Sequence, residues 1–530
     1  MTTKALAEEQ PKEKGPEERW HAPQETAPSA VAADELLAPR VIGFVSLMLF
    51  VLGFMSILFN RWGRPVIISE TWGSFFFVIG LAGLLYHASR ETLVEMRRMY
   101  GVTAALSLLV AVGLAVYPVN SMPGGMFLPY APLFLIMALL FFLPFVRNET
   151  DANLRLGAMY ALGGVGVALA GTGLFGGTLS TNFLLSHGLL LSLLGLAFLW
   201  AFIGLQGTET ELGYRAGLGV GLAGFLVFAI ALVRSGLLRS PTLSRWVGLA
   251  PDPTYLVAAG VLLMIVGFLY MALALGLCSE SKLVVMTRRE LSAFFYSPIA
   301  YIVLFGFALV GWLQFWIFVG QLQRTAAMEV LPEPIVGRFF LAFIPAMTLI
   351  VIVPLLTMRL FSEERRTGTL EVLLTAPVEE VPVVLSKFLG ALIFFMLGWL
   401  PYGLFLVALR VEGGQPFDYR PLISFFIGLV CSAGGFLSMG LFFSCLTRNQ
   451  IAAAVMTTLG MLVLFSFYLV QVFMQIPPGL ETVLRTFSFI DLWAVTLQGQ
   501  LALRDLIFHV SVTIFWLFLT IKVLEARKWS

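Results

Sequence analysis

Uncharged apolar runs long enough to cross a bilayer recur along the whole chain, and this pattern limits the fold more than any other feature. The stretch "VIGFVSLMLFVLGFMSILF" (Val41–Phe59) carries no ionisable group. A hydrocarbon core needs about 20 apolar residues per helix, and backbone polar groups there must be satisfied within the segment. Such a run therefore folds as a helix. The same signal predicts about fourteen spans, near 41–59, 71–87, 100–118, 129–146, 155–175, 183–205, 214–233, 255–278, 299–319, 339–358, 388–409, 421–445, 451–473 and 507–524. With 59% hydrophobic and 12% charged residues, against about 25% charged in soluble domains, the expected class is an all-α polytopic membrane protein. Eight spans precede Ser279–Lys282 and six follow it.

Residues 1–40 differ in kind. They are rich in Glu, Pro, Ala and Lys, lack the apolar core of a signal peptide, and are expected to be a disordered cytoplasmic tail. Residues 41–278 then form an eight-span membrane domain of unknown role and 279–530 a six-span domain. If the amino terminus is cytoplasmic, about two thirds of the 33 Lys and Arg residues fall on that side, which by the positive-inside rule places both termini inside. Arg234, Arg239 and Arg245 run against the trend.

The scattered residues say little. Cys278, Cys431 and Cys445 lack metal or redox spacing, the four histidines form no metal cluster, and a net charge of +2 gives no reason to expect nucleic acid. The spans are read as essentially free of ionisable groups, which at depth mark proton or ion relays; His187 in the sixth span is the exception and reads as a packing hydrogen bond. A GxGxxG match at Gly219, Gly221 and Gly224 lies inside a span with no preceding strand. With Gly217 and Gly221 as a GxxxG pair, it reads as helix packing rather than dinucleotide binding. No GxxxxGK[ST] phosphate loop is present. Energy for transport would have to enter from outside the chain.

The densest ionisable cluster is "LFSEERRTGTLEVLLTAPVEE" (Leu360–Glu380), in the expected cytoplasmic loop between spans ten and eleven. Leu370, Leu373 and Leu374 share a helical face, Glu371 suits a helix amino end, and Pro377 stops the helix. The expectation is a short amphipathic helix on a charged "SEERR" stem, its leucines packing on the bundle itself or on a partner. A second amphipathic segment, "SKLVVMTRRELSAFFYSPIAY", places Val284, Leu291 and Phe295 at helical spacing, with Arg288, Arg289 and Glu290 on other faces. It reads as a helix in the membrane interface.

"RRELSAFFYSPIAYIVLFGF", "PLLTMRLFSEERRTGTLEVLLTAPVEEVPVVLSKFLGALIF", "LFFSCLTRNQIAAAV" and "FSFIDLWAVTLQGQLALRDL" together resemble permease subunits of type-2 ABC transporters. The nearest branch is that of the gliding-motility and nitrous-oxide-reductase-maturation permeases. The resemblance covers about residues 280–530, and the eight earlier spans depart from the family's usual six. It implies that Glu363, Glu364, Arg365, Arg366, Gly368, Thr369, Leu370, Glu371, Leu373, Leu374 and Pro377 form a coupling helix that docks on a separate ATPase. It further implies that Arg288, Arg289 and Glu290 lie on an interfacial helix, and that Thr447, Arg448, Asn449 and Gln450 make a second cytoplasmic contact. The segment 474–504 would cap the pathway with short helices on the other side.

The implied function is the permease subunit of an ATP-driven exporter in the cytoplasmic membrane. It would have no catalytic residues, metal or cofactor of its own, with ATP and Mg held by two ATPase copies. A second permease or a second copy of this chain would complete the pathway. The rivals are a non-transporting anchor or assembly component of an ABC-type complex and, from another class, a membrane enzyme acting on lipid-linked sugars. The latter needs carboxylates at a cavity, for which Asp491 and Glu481 are the late outer-face candidates.

Overall fold

The computed structural model describes residues 30–61, 70–91, 93–116, 118–119, 122–123, 127–180, 183–242, 245, 258–326, 335–341, 343–370, 379–403, 405–406 and 420–528. The chain divides by contacts into two units, Met1–Tyr214 and Arg215–Ser530.

The first unit is built from α1 (Ala30–Arg61), α2 (Glu70–Arg90), α3 (Val94–Val116), α4 (Phe127–Asn148), α5 (Ala152–Leu179) and α6 (Leu189–Gln206). A two-residue antiparallel ribbon, β1 (Pro118–Val119) with β2 (Met122–Pro123), sits between α3 and α4. Residues 30–40 of the expected tail belong to α1, since "AVAADELLAPR" is rich in Ala and Leu, strong helix formers; residues 1–29 lie outside the described residues. The helices pack as successive pairs, α1 with α2, α3 with α4 and α5 with α6. Small residues let the backbones approach: a Cβ on Gly80 would stand 2.3 Å from the Phe50 amide nitrogen. A single π-helical turn, Leu184–Gly188, leads into α6. It holds His187, whose ring lies 6.0 Å from that of Phe183.

The second unit continues from α7 (Glu211–Arg239) through α8 (Ala258–Cys278), α9 (Lys282–Tyr296), α10 (Pro298–Ala326), α11 (Ile335–Phe340), α12 (Phe343–Thr357), α13 (Ser362–Thr367), α14 (Glu380–Gly398), α15 (Arg420–Leu446), α16 (Gln450–Phe473), α17 (Pro478–Phe487), α18 (Phe489–Leu497) and α19 (Leu503–Lys528). The glycines of the GxGxxG match serve packing. A Cβ on Gly224 would lie 2.6 Å from the Gly267 carbonyl, and one on Gly221 2.9 Å from Ala274 Cβ, whereas Gly219 faces open space. Between α8 and α9 the axis bends by 96°, so α9 runs across the end of the spans. Around α15, the most enclosed span, are packed α12, α14, α16, α18 and α19.

Among the described residues twelve helices are long and apolar enough to cross a membrane, thirteen if the bent α8–α9 pair counts as one span. The expected count of fourteen is not met on that measure: the first expected span appears as the shorter apolar helix Val41–Ile57, and the eighth as one arm of the bent pair.

Candidate functional site

After α12 the chain turns through Met358–Phe361 and enters α13, which is the "SEERRT" stem itself. A helix start leaves amides without intrahelical partners. Ser444 of α15 supplies them: its Oγ accepts from the Phe361 and Ser362 amides, both at 3.1 Å, and donates to the Met358 carbonyl at 3.1 Å. Gly368 ends α13 at φ 74°, a left-handed cap that favours glycine. Arg365 donates to the Cys445 carbonyl at 3.0 Å, where a cation complements the last carbonyls of α15.

Lys387, on α14, joins this stem to α9. Its side chain is almost fully enclosed, at 2% exposure. The Nζ donates to Glu364 Oε1 at 2.7 Å and to Glu290 Oε2 at 3.0 Å. The other Glu290 oxygen accepts from Arg289 Nη2 at 3.2 Å, and Phe361 lies against the ammonium, 5.4 Å from Nζ to the ring centroid. Positive and negative groups thus alternate as Arg289, Glu290, Lys387, Glu364. Enclosing such charges costs several kcal/mol per ion unless each is paired and hydrogen-bonded. Arg359 stacks on Phe294 nearby, 5.0 Å from the centroid.

Glu364, Glu290 and Arg289 are thus brought together around Lys387, while Arg365 is engaged with the end of α15. Arg288 is exposed and donates to the Leu277 carbonyl. Glu363, Arg366 and Thr369 are exposed. Thr447 to Gln450 form the tight turn between α15 and α16: Thr447 Oγ1 accepts from the Asn449 amide at 3.0 Å, and Asn449 caps α16 through the Ile451 amide at 2.9 Å. Arg448 is exposed there. Glu371, Leu373, Leu374 and Pro377 lie outside the described residues.

Two expectations change, and one left open between two readings is narrowed. Glu290 is not on the polar face of α9. The face turned inward carries Thr287, Glu290 and Phe294, while Phe295 is exposed, because pairing with Lys387 outweighs the apolar spacing of Val284, Leu291 and Phe295. Leu370 is 4% exposed, inside the apolar core of this unit, so the first leucine of the expected face packs on the bundle. The spans also hold ionisable groups besides His187. Lys387 lies within the candidate span Glu380–Gly403, and His509, 5% exposed, within Leu503–Arg527. His509 Nδ1 donates to the Asp505 carbonyl at 2.9 Å, a bond within its own helix. Lys387 was missed because it stands at the edge of an apolar run. Its signal is a lone lysine in "VVLSKFLGALIF" with no acidic residue within one helical turn.

At the opposite end of the unit, Glu481 and Asp491 line one cavity of about 350 Å³ with Tyr468, Gln471 and Arg485. Glu481 pairs with Arg485 at 2.8 Å and Asp491 accepts from Gln471 at 3.1 Å. Both carboxylates are therefore already engaged.

No curated protein and no solved structure matches the chain. Residues 321–524 match the model of a family described as ABC-2 family transporter protein. The part of the chain that contains α13, Lys387 and the Thr447–Gln450 turn is thus similar to the membrane-spanning permease of an ABC transporter.

Proposed function

We propose that the chain is the permease subunit of an ATP-driven ABC exporter of the cytoplasmic membrane, with residues 279–530 as the transport module. The observation that carries this reading is the Lys387 junction. It ties the "SEERR" stem on α13, the cross-lying α9 and the span α14 into one unit at one end of the bundle, beside the Thr447–Gln450 turn. A push on α13 is then delivered to a membrane span through short ionic contacts rather than through a loose loop.

In this reading Glu363, Arg366, Thr369, Glu371, Leu373, Leu374 and Arg448 meet a separate ATPase. Two ATPase copies bind ATP and Mg, their closure moves α13 and α9 together, and α14 follows. A second permease, or a second copy of this chain, faces it across the pathway. Both termini are cytoplasmic, and the module belongs with the gliding-motility and nitrous-oxide-reductase-maturation permeases that its sequence resembles.

Co-purification of the tagged full chain from its native membrane in mild detergent tests the proposal. An ABC ATPase should accompany it in stoichiometric amount, and Glu371→Lys should release that partner while leaving membrane insertion intact. Absence of any ATPase would move the anchor reading ahead of transport.

A further inference from the structure

The apolar core of the second unit contains two hydrogen-bond donors with nothing to donate to. Trp399 and Tyr402 are both fully enclosed, with ring centroids 4.9 Å apart. Among the described residues neither the indole Nε1 nor the phenol hydroxyl meets an acceptor. Trp493 beside them shows what an enclosed indole ordinarily finds, donating to Ser432 Oγ at 3.1 Å. Leaving such a donor unpaired forfeits its whole hydration, and native chains rarely keep one without a reason. Phenylalanine at position 402 would fill nearly the same space as the tyrosine at no such cost.

The surroundings suggest what the donors are for. Their walls are Phe307 of α10, Phe339 and Phe340 of α11, Phe425 of α15 and Trp493 of α18, all aromatic and uncharged. Trp399 stands twelve residues beyond Lys387, about 18 Å along the helix axis. Two of the walls, α11 and α18, are helices of 6 and 9 residues at that end of the bundle. Besides the Trp493 bond, α18 is fastened to α15 by the Ser424 hydroxyl donating to the Thr496 carbonyl at 2.6 Å.

We infer that Trp399 and Tyr402 form a binding site for an uncharged molecule with an apolar or aromatic body and a carbonyl, ester or ether oxygen, entered when α11 or α18 parts from α14. The oxygen accepts from both donors while the rings enclose the body. As a class of cargo this deepens the transport reading and rests on it for its role, but binding can be read without any ATPase.

The test uses the full chain in phosphatidylcholine nanodiscs, irradiated with benzophenone, which has two rings and one carbonyl oxygen, and adducts mapped by mass spectrometry. Labels are expected on peptides of α10, α11, α14 and α18 that line the cluster. The variant Tyr402→Phe, which removes one donor and keeps the ring, should lower that labelling at least tenfold, as the loss of a full hydrogen bond implies, with a melting temperature no lower than wild type. Labelling confined to lipid-facing helices, or cluster labelling unchanged in the variant, overturns the proposal. So does a fall in melting temperature of that variant, which would show that the Tyr402 hydroxyl has a structural partner. Loss of the ATPase in co-purification would instead strike the transport reading, so the two failures are distinguishable.

Discussion

Helices of the first unit associate two by two, whereas those of the second close around three of their number. In the first unit the five helices long and apolar enough to span are at most 44% buried within the protein, and α3 only 17%. In the second, α12, α14 and α15 reach 61%, 61% and 67%, while α10, α16 and α19 around them stay at 28% or below. Each unit also encloses an ionisable cluster. In the first, His87 Nε2 pairs with Glu91 at 3.0 Å, and its Nδ1 stands 2.7 Å from the Tyr100 hydroxyl. Those groups link α2 to the start of α3, a local join. Lys387 links α14 to residues 23 and 97 positions earlier. Short-range polar joins staple a hairpin; long-range ones make several elements move together. The second arrangement suits transmission, and the first suits a scaffold whose pairs keep most of their surface for lipid or for other chains.

The largest effect should come from breaking the long-range join. Lys387→Met leaves two enclosed carboxylates without a cation and should destabilise the protein by about 3–5 kcal/mol, seen as a lower melting temperature of the purified chain in detergent. Replacing Glu290, Glu364 and Lys387 together by Leu, Leu and Met should recover most of that loss yet uncouple ATPase binding from any change in the spans. An intact wild-type response in the triple variant would end the transmission argument.

Gly80→Leu attacks the other mode of assembly. The side chain must enter where a Cβ already meets the Phe50 backbone, at about 1–3 kcal/mol or more. Hydrogen exchange should rise in α1 and α2 and remain unchanged in α12, α14 and α15; a rise throughout would show that the units do not unfold separately.

Smaller effects refine the picture. Ser444→Ala removes the acceptor for the first amides of α13 and should cost about 1–3 kcal/mol, measured as faster exchange at Phe361 and Ser362. Tyr100→Phe loses one hydrogen bond of the local join, about 1 kcal/mol. At Arg448 the expected stability change is within about 0.5 kcal/mol, so Arg448→Ala separates docking from folding: ATPase retention should fall with no shift in melting temperature.

Much of the fold could be read from the chain, because the bilayer imposes one length and one backbone solution on every span. Within the described residues, the expected runs are helical for most of their length. The ends were harder. A span boundary drawn at residue 388 placed Lys387 in a loop, although its enclosed position depends on Glu290, which no local window contains. The phase of α9 failed for the same reason: its inward face is chosen by a charge on another helix. The sequence marks "SEERR" only as the charged stem of a helix carried by the leucines that follow, yet Ser444 caps it as a helix in its own right, through a contact across 82 residues. Enclosed Trp399 and Tyr402 gave no signal, since aromatic residues in an apolar run look alike whether or not their polar atoms are satisfied.

The 97 residues between Glu290 and Lys387 also have a meaning in time. At about 5–20 residues per second, Glu290 is synthesised roughly 5–20 s before the lysine that will neutralise it. Glu364 follows it, and both carboxylates can wait in water at the membrane surface. Lys387 enters last, on a helix whose transfer into hydrocarbon would be opposed by about 2.5–3.5 kcal/mol were the lysine central and alone. It arrives instead with both acceptors already made. The order of synthesis therefore spares the chain an unpaired ammonium in lipid, and a circular permutation that emitted α14 before α9 and α13 would remove that protection while leaving every contact of the finished fold in place.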